Sequence, residues 1–551
     1  MKKNNAFRRA AALMAALSIT VSLAAPAFAD TYYIDYGDIT ITKNEDGSQT
    51  IEQGGDKWTD KAGEETVITT SNTVITTLES DLEGPAAEDS DFGPVVEDNY
   101  QSAQPEDAEE PKDADQPESA EEPKSSDRQE SADQQAAPAA APAGATPVNP
   151  KDDGFWGNTI TVINNIADKV LNLTLKDVKI DVSDTGGDNF EFEDDQIGKA
   201  ALSVEGKGNV EIELDGNNEL KSGASKAGLE KTSTGKLTLK DDNNEAGSLT
   251  ATGGASAAGI GGGFQGKGEN ITITGGTVNA TGNEDGAGIG GGSSGSGENI
   301  TINDGKVTAT GGSYAAGIGG GSVGAWGGDA GSGKNITING GTVNATGTDG
   351  GAGIGGGENG NGEDITINGG KVNASGAYGG AGIGGGVNGI GSKVTVSGAA
   401  QVTATATGSG PDWSGVGTGA TIGNGGSKTP DGPVDGKEIQ ADISHLTTGY
   451  IHHIIYNPDL DLDGKPDGIL KEWWEFALPK PIPDGESLDL HVETLKGAPL
   501  LFNTRQQGST LRVTTDNLSA RLHGTRQALE TLQEQGVEQI QFVTTLKTTT
   551  L

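Results

Sequence analysis

The sequence predicts an all-β protein, a parallel β-helix solenoid with a disordered acidic insert and a small C-terminal α+β or β-rich module. Three observations predict it. The hexapeptide Ala-Gly-Ile-Gly-Gly-Gly begins at Ala258, Ala287, Ala316, Ala352 and Ala381, so its spacings are 29, 29, 36 and 29 residues. A second signature, Asn270-Ile271-Thr272-Ile273-Thr274-Gly275-Gly276-Thr277-Val278-Asn279-Ala280-Thr281-Gly282, precedes the next copy and returns from Asn299, Asn335 and Asp364, and more weakly from Lys393. Glycine supplies 91 of 551 residues without a collagen triplet, which points to a repeat architecture of another kind.

Each repeat explains its own strands. Ile271, Ile273, Val278, Ala280 and Ile289 alternate with Thr272, Thr277, Asn279 and Thr281, the period-two pattern of a strand with one buried face. A Gly-Gly break separates the first two strands, and the hexapeptide makes the third. A unit of 29 residues with three short strands matches one coil, whose Ile/Val face is covered only when neighbours stack on it at ~4.8 Å. The interval of 36 reads as an insertion in the loop that carries Trp326, with the register kept. Less regular coils extend the stack backwards: Leu171-Asn172-Leu173-Thr174-Leu175, Val210-Glu211-Ile212-Glu213-Leu214 and Lys236-Leu237-Thr238-Leu239 occupy the Asn-Ile-Thr-Ile position.

The remaining segments follow in order. Lys2, Lys3, Arg8 and Arg9 precede an apolar run from Ala10 to Ala24, and Ala27-Phe28-Ala29 offers a signal-peptidase site, so residues 1–29 read as a signal peptide. The expected location is therefore secreted or extracellular, with association to the cell surface, and no membrane insertion is expected once the signal is removed. Residues 30–82 carry short alternating runs such as Asp38-Ile39-Thr40-Ile41-Thr42 and are expected to cap the solenoid. Residues 83–150 form the acidic Pro/Ala-rich insert. From Glu79 to Gln135 there are 20 acidic and 3 basic side chains, too few apolar groups to offset the entropy of ordering. The β-helix is assigned to 151–430 and a different module to 437–551, where glycine falls and large apolar residues, all five histidines and most arginines appear. Within that module Thr525 to Gln535 reads as a short helix with Leu529 and Leu532 on one side, and Val537 to Thr545 as a strand.

The stretch from Phe155-Trp156-Gly157-Asn158-Thr159-Ile160-Thr161-Val162 through Val178-Lys179-Ile180-Asp181-Val182 to the hexapeptides resembles exported proteins of gut Gram-positive bacteria described as carbohydrate-binding domain-containing. The resemblance covers residues 31–77 and 151–427. It implies a right-handed β-helix related to polysaccharide lyases, with calcium and plant-polysaccharide binding in some members.

Composition excludes several chemistries. There is no Cys, hence no disulfide framework, thiolate nucleophile or Cys-held metal. A net charge of −42 argues against nucleic acid as a partner. A β-helical lyase needs a basic residue beside a uronate, yet no Arg lies between Arg128 and Arg505, and from Gly253 to Ser427 the only Lys are Lys267, Lys306, Lys334, Lys371 and Lys393. Glu363 or Asp364 with a neighbouring carboxylate is the candidate pair for hydrolysis, and both read as solvated turn residues. The expected function is non-catalytic polysaccharide binding, by a monomer, on the face of the helix. The alternatives are a structural adhesin that displays the C-terminal module and a calcium-dependent polysaccharide lyase.

Sugar recognition needs hydrogen-bonding side chains on a flat surface and aromatic rings to stack on pyranose C–H edges. The outward Thr/Asn ladders supply the first, and Tyr314, Trp326, Tyr378 and Trp413 are the candidate rings; both also admit structural readings, since Asn and Thr ladders bond to one another in any solenoid. Asp459, Asp461, Asp463 and Asp467, at loop positions 1, 3, 5 and 9 with Gly464 at 6, have the spacing of a calcium loop and resemble the Asp-rich loops of dockerins and thrombospondin type 3 repeats. Leu470 stands at position 12, where the bidentate Glu belongs, and an Asp/Gly turn accounts for the same residues. Trp473-Trp474-Glu475-Phe476 is read as core in preference to an exposed contact patch.

Overall fold

The computed structural model describes residues 30–61, 65–70, 150–151, 153–187, 197–243, 245–323, 330–408, 415–458, 466–477, 490–524, 526–534 and 536–550. The acidic insert up to residue 149 lies outside them. The protein is a parallel β-helix with three faces. In each regular rung the Ile-Thr-Ile strand (for example Gly268–Ile273) turns at Gly-Gly into the Val-Asn-Ala strand (Thr277–Thr281), which passes through a corner into the two-residue Ile-Gly strand (Ile289–Gly290). Each pairs in parallel with its equivalent one rung on, including across the 36-residue interval, where Ile318 faces Ile354.

Register turns the sequence period into columns. On the first face Leu171, Val210, Leu237, Ile271, Ile300, Ile336, Ile365 and Val394 lie over one another, which places the three irregular early coils in the stack. On the third, one column runs through Ile39, Ile160, Leu202, Leu229, Ile260, Ile289, Ile318, Ile354, Ile383 and Ile422. All of these side chains are buried, and each contributes about 1.5–3 kcal/mol relative to exposure. Two members of this series carry degenerate forms of the hexapeptide, Ala227-Gly228-Leu229-Glu230 and Ala420-Thr421-Ile422-Gly423, which the exact repeat does not reveal.

The glycine after each Ile has a specific cause. Gly261, Gly290, Gly319, Gly355, Gly384 and Gly423 take φ between +133° and +144°, and a Cβ on Gly290 would stand 2.0 Å from the Gly319 carbonyl oxygen. No L side chain tolerates both conditions. Asn270, Asn299, Asn335, Asp364 and Lys393, one per rung, sit at φ of 53–58°, a left-handed position that asparagine accepts best among residues with a side chain.

Antiparallel strands continue the third face at one end of the stack and the second face at the other, while the first face begins on the parallel strand Asp30–Tyr33. Ile39–Lys43, the first strand of the third face, pairs antiparallel with Gln49–Gln53, which pairs antiparallel with Asp56–Asp60. Asp60 is buried there, accepting from the Tyr32 hydroxyl at 2.6 Å and the Thr66 hydroxyl at 2.6 Å, and burial pushes its carboxyl up to about 6. At the other end Tyr450–Tyr456 adds one more parallel strand to the second face, in register with Gln401–Thr407, and Ile469–Phe476 pairs antiparallel on top of it. The pairing therefore carries the solenoid to Phe476, past the boundary drawn at residue 437. Glycine falls where the regular rungs give way to these closing strands.

Residues 490–550 form two further sheets, of three and four strands, around Val492, Leu511, Val513, Leu532, Val537, Ile540 and Phe542. A β-α-β crossover links Thr510–Thr514 through the helix Arg526–Glu534 to Gln539–Val543. The buried side of that helix is Ala528 with Leu532, four residues on, while Leu529 is 48% exposed; the pairing of Leu529 with Leu532 is thus corrected. Among the described residues no helix is long and apolar enough to cross a membrane.

Ile336→Ala should cost about 2–5 kcal/mol in urea unfolding, because a rung locked between two others cannot collapse around the cavity. Gly290→Ala should lower stability more than Gly432→Ala, whose φ of +123° is similar but whose Cβ would meet nothing within 4 Å; equal losses would mean that the close carbonyl is irrelevant.

Candidate functional site

The outward side of the second face is a plain of small polar groups. Three columns cross its regular rungs: Thr277, Lys306, Thr342, Lys371 and Gln401; Asn279, Thr308, Asn344, Asn373 and Thr403; and Thr281, Thr310, Thr346, Ser375 and Thr405. The inward partners are Val and Ala, with Val278 and Ala280 typical, so alternation alone aims the polar set at solvent. In a chain of net charge −42, these five strands carry two lysines and no carboxylate.

Asparagine ladders do bond to one another, mostly at the corners. Asn299 donates to Asn270 at 3.1 Å, Asn335 to Asn299 at 2.9 Å, Asn339 to Asn303 at 2.8 Å and Asn368 to Asn339 at 2.8 Å. On the plain itself, among the described residues, one side-chain hydrogen bond occurs, from Asn373 Nδ2 to Asn344 Oδ1 at 2.8 Å. The threonine hydroxyls of these columns make no side-chain hydrogen bond to one another among the described residues.

The plain ends in aromatic rings. Continuing outward from Gln401 and Thr403 come Tyr450 and His452, and opposite these on the closing strand Phe476 and Trp474. The His452 and Trp474 rings stack 3.7 Å apart at 6°, Trp474 and Phe476 are parallel within 4° with centroids 6.0 Å apart, and Tyr450 meets Trp474 edge-on at 5.0 Å. Glu472 fixes the imidazole, with His452 Nε2 to Glu472 Oε1 at 2.6 Å, and the Arg505 guanidinium lies 5.2 Å from the Phe476 ring. Trp474 and Phe476 nonetheless stay 45% and 38% exposed. The core reading of this stretch therefore holds only for the half-buried Trp473.

Trp473 covers the inside. Its ring stacks on His453 at 4.4 Å and 7°, and His453 occupies the position that Ala280, Ala309, Ala345, Ala374 and Ala404 fill in earlier rungs. Its Nδ1 lies 2.6 Å from the Thr421 hydroxyl oxygen, which bonds the Glu438 carboxylate at 3.0 Å. Nε2 has no hydrogen-bond partner among the described residues and stands 3.6 Å from Glu475. Burial, reinforced by the charges of His452 and Lys471, pushes His453 down from 6.5 to about 4. Burial also raises Glu438 and Glu475 above the usual carboxylate range.

Of the rings expected from sequence, Tyr314 and Tyr378 occupy the same corner, beside the end of the Thr281 column, at φ of 65° and 47°. Asp349 takes the equivalent corner of the rung between them, so the two tyrosines do not stack. Trp326 and Trp413 lie outside the described residues, as do Asp459, Asp461 and Asp463. Asp467 is described, exposed, in the connection between the two strands that carry the aromatic rings. Glu363 and Asp364 are tied to Lys393 at 3.1 and 3.3 Å, in surface ion pairs.

These rungs and this face define a parallel β-helix protein. The family model described as beta helix repeat matches residues 245–264, 271–293, 300–322, 336–358 and 365–387, five successive segments that each end on an Ala-Gly-Ile-Gly-Gly-Gly coil. No curated protein and no solved structure matches the chain.

His453 supplies a pH test. Its folded value lies below its unfolded one, so its stabilising contribution is complete above pH 6.5 and is lost as pH falls toward 4, by up to about 3 kcal/mol. Between pH 7 and pH 4.5 the native chain should lose more stability in urea than His453→Gln, which does not titrate; parallel losses would place the imidazole in water.

Proposed function

We propose that the protein is a non-catalytic polysaccharide-binding β-helix, secreted or held at the cell surface. The glycan lies along the second face with its end on the Tyr450, His452, Trp474 and Phe476 rings. The observation that supports this reading is the exposed parallel pair Trp474 and Phe476 at the edge of a carboxylate-free plain of Thr and Asn. Parallel rings present apolar faces to pyranose C–H groups, while hydroxyls and amides repeated every ~4.8 Å offer donors and acceptors to successive sugars. Lys306 and Lys371 favour neutral or uronate-bearing chains over cationic ones. Calcium belongs to the proposal through Asp459, Asp461, Asp463 and Asp467, whose loop joins the two aromatic strands; an ion there would order the end of the platform.

The full chain should be retained on insoluble cellulose or pectin, and Trp474→Ala with Phe476→Ala should weaken binding by about tenfold or more. Chelator should weaken it less, and Asp461→Ala should remove that chelator effect. Retention unchanged in the double variant would overturn the assignment. A chain that binds no polysaccharide but attaches to cells through residues 490–550 would favour the adhesin, and release of unsaturated uronides the lyase.

A further inference from the structure

Away from the solenoid face, two of the chain's five histidines meet on one small surface. Leu490–Glu493 pairs antiparallel with Arg521–Gly524, His491 directly opposite His523 and Glu493 opposite Arg521. Residues two apart on a strand share a side of the sheet, so His491, Glu493, His523 and Arg521 project together. The imidazole rings lie 4.9 Å apart at 7°, and His523 Nε2 is 2.7 Å from Glu493 Oε1. One ligand atom from each of His491, Glu493 and His523 lies within 4.8 Å of the others, the only group of this kind among the described residues.

We propose that His491, Glu493 and His523 form a binding site for a borderline divalent transition ion, Zn2+ in the first instance. Two imidazole nitrogens with one carboxylate oxygen suit zinc, whereas calcium requires six or more oxygens. A tetrahedral ion with bonds of ~2.0–2.1 Å holds its ligand atoms about 3.3 Å apart. His523 and Glu493 therefore open slightly to admit the ion, and His491 closes by a small side-chain rotation. Three protein ligands leave one tetrahedral position for water on the exposed side. The ion fastens Leu490–Glu493 to Arg521–Gly524, two short strands whose other lateral partner is the two-residue strand Pro499–Leu500.

Arg521 opposes the ion. Its Nη1 stands 4.0 Å from Glu493 Oε1 and puts a positive charge beside the site. This gives the proposal a sign that an adventitious contact with surface histidines does not share: removing Arg521 should tighten binding, although it takes away a polar side chain. His452 with Glu472 is a two-ligand pair elsewhere in the chain and serves as the internal control.

The test is titration of untagged full-length protein with Zn2+ by calorimetry, with thermal unfolding as an independent readout. One ion per chain should bind in the micromolar range, raise the unfolding temperature and be insensitive to millimolar Ca2+. His491→Ala with His523→Ala should abolish the saturable binding and the thermal shift together. Arg521→Ala should strengthen both, and His452→Ala should change neither. His491, His523 and Arg521 are exposed and Glu493 is half-buried, and circular dichroism of the metal-free variants verifies that they fold. No saturable binding to the native chain, binding unaltered in the double histidine variant, or weaker binding in Arg521→Ala would each overturn the site.

Discussion

Lateral pairing between successive rungs is the constraint on which the molecule depends. A strand of two residues such as Ile289–Gly290 has no stability of its own; it exists because Ile260–Gly261 and Ile318–Gly319 hold its backbone groups on either side. The same pairing sets the interior, since once the backbones are in register each Ile lies on an Ile and each Ala on an Ala. The glycine column shows how tight the stacking is, with room for a carbonyl oxygen where any Cβ would stand.

The polar second face is a by-product of that register. Alternation that buries Val278 and Ala280 must expose Thr277, Asn279 and Thr281, and repetition multiplies them into columns. Acidic residues such as Glu269, Glu298 and Glu363 lie on the first face, and the five regular strands of this face carry none. The closing strands then replace small polar groups with rings. His452, opposite Trp474 on the adjacent strand and oriented by Glu472, gives Trp474 a support that a lone exposed tryptophan lacks.

The coils were legible because their signal is local. Ile271 and Ile273 lie two residues apart, and the hexapeptide repeats without change, so period and alternation suffice to place both. The early coils around Leu171 and Val210 were found by pattern even though their sequences differ. The aromatic platform was hidden, since Tyr450 and His452 meet Phe476 and Trp474 only through a hairpin register, with a bulge at Ile455/Tyr456, that no short motif encodes. Falling glycine content at residue 436 looked like a domain boundary, and Thr421 in place of the hexapeptide's first glycine masked the last coil. The meeting of His491 and His523, 32 positions apart, is likewise a fact of pairing rather than of spacing. In the small C-terminal helix the 100° step favours Ala528 with Leu532, and a glance at large apolar residues picks Leu529 instead.

The two antiparallel ends bear on what such a chain does in company. A stack of identical parallel rungs offers its last edge as a template on which another copy's first edge fits, the geometry by which filaments elongate. Here Gln49–Gln53 and Ile469–Phe476 run against the strands they pair with, so the third face at one end and the second face at the other pass into an antiparallel pairing before their edge is reached. On those two faces another copy of the chain would have to pair with a hairpin strand instead of a bare rung, which sets their edges apart from the repeated interior.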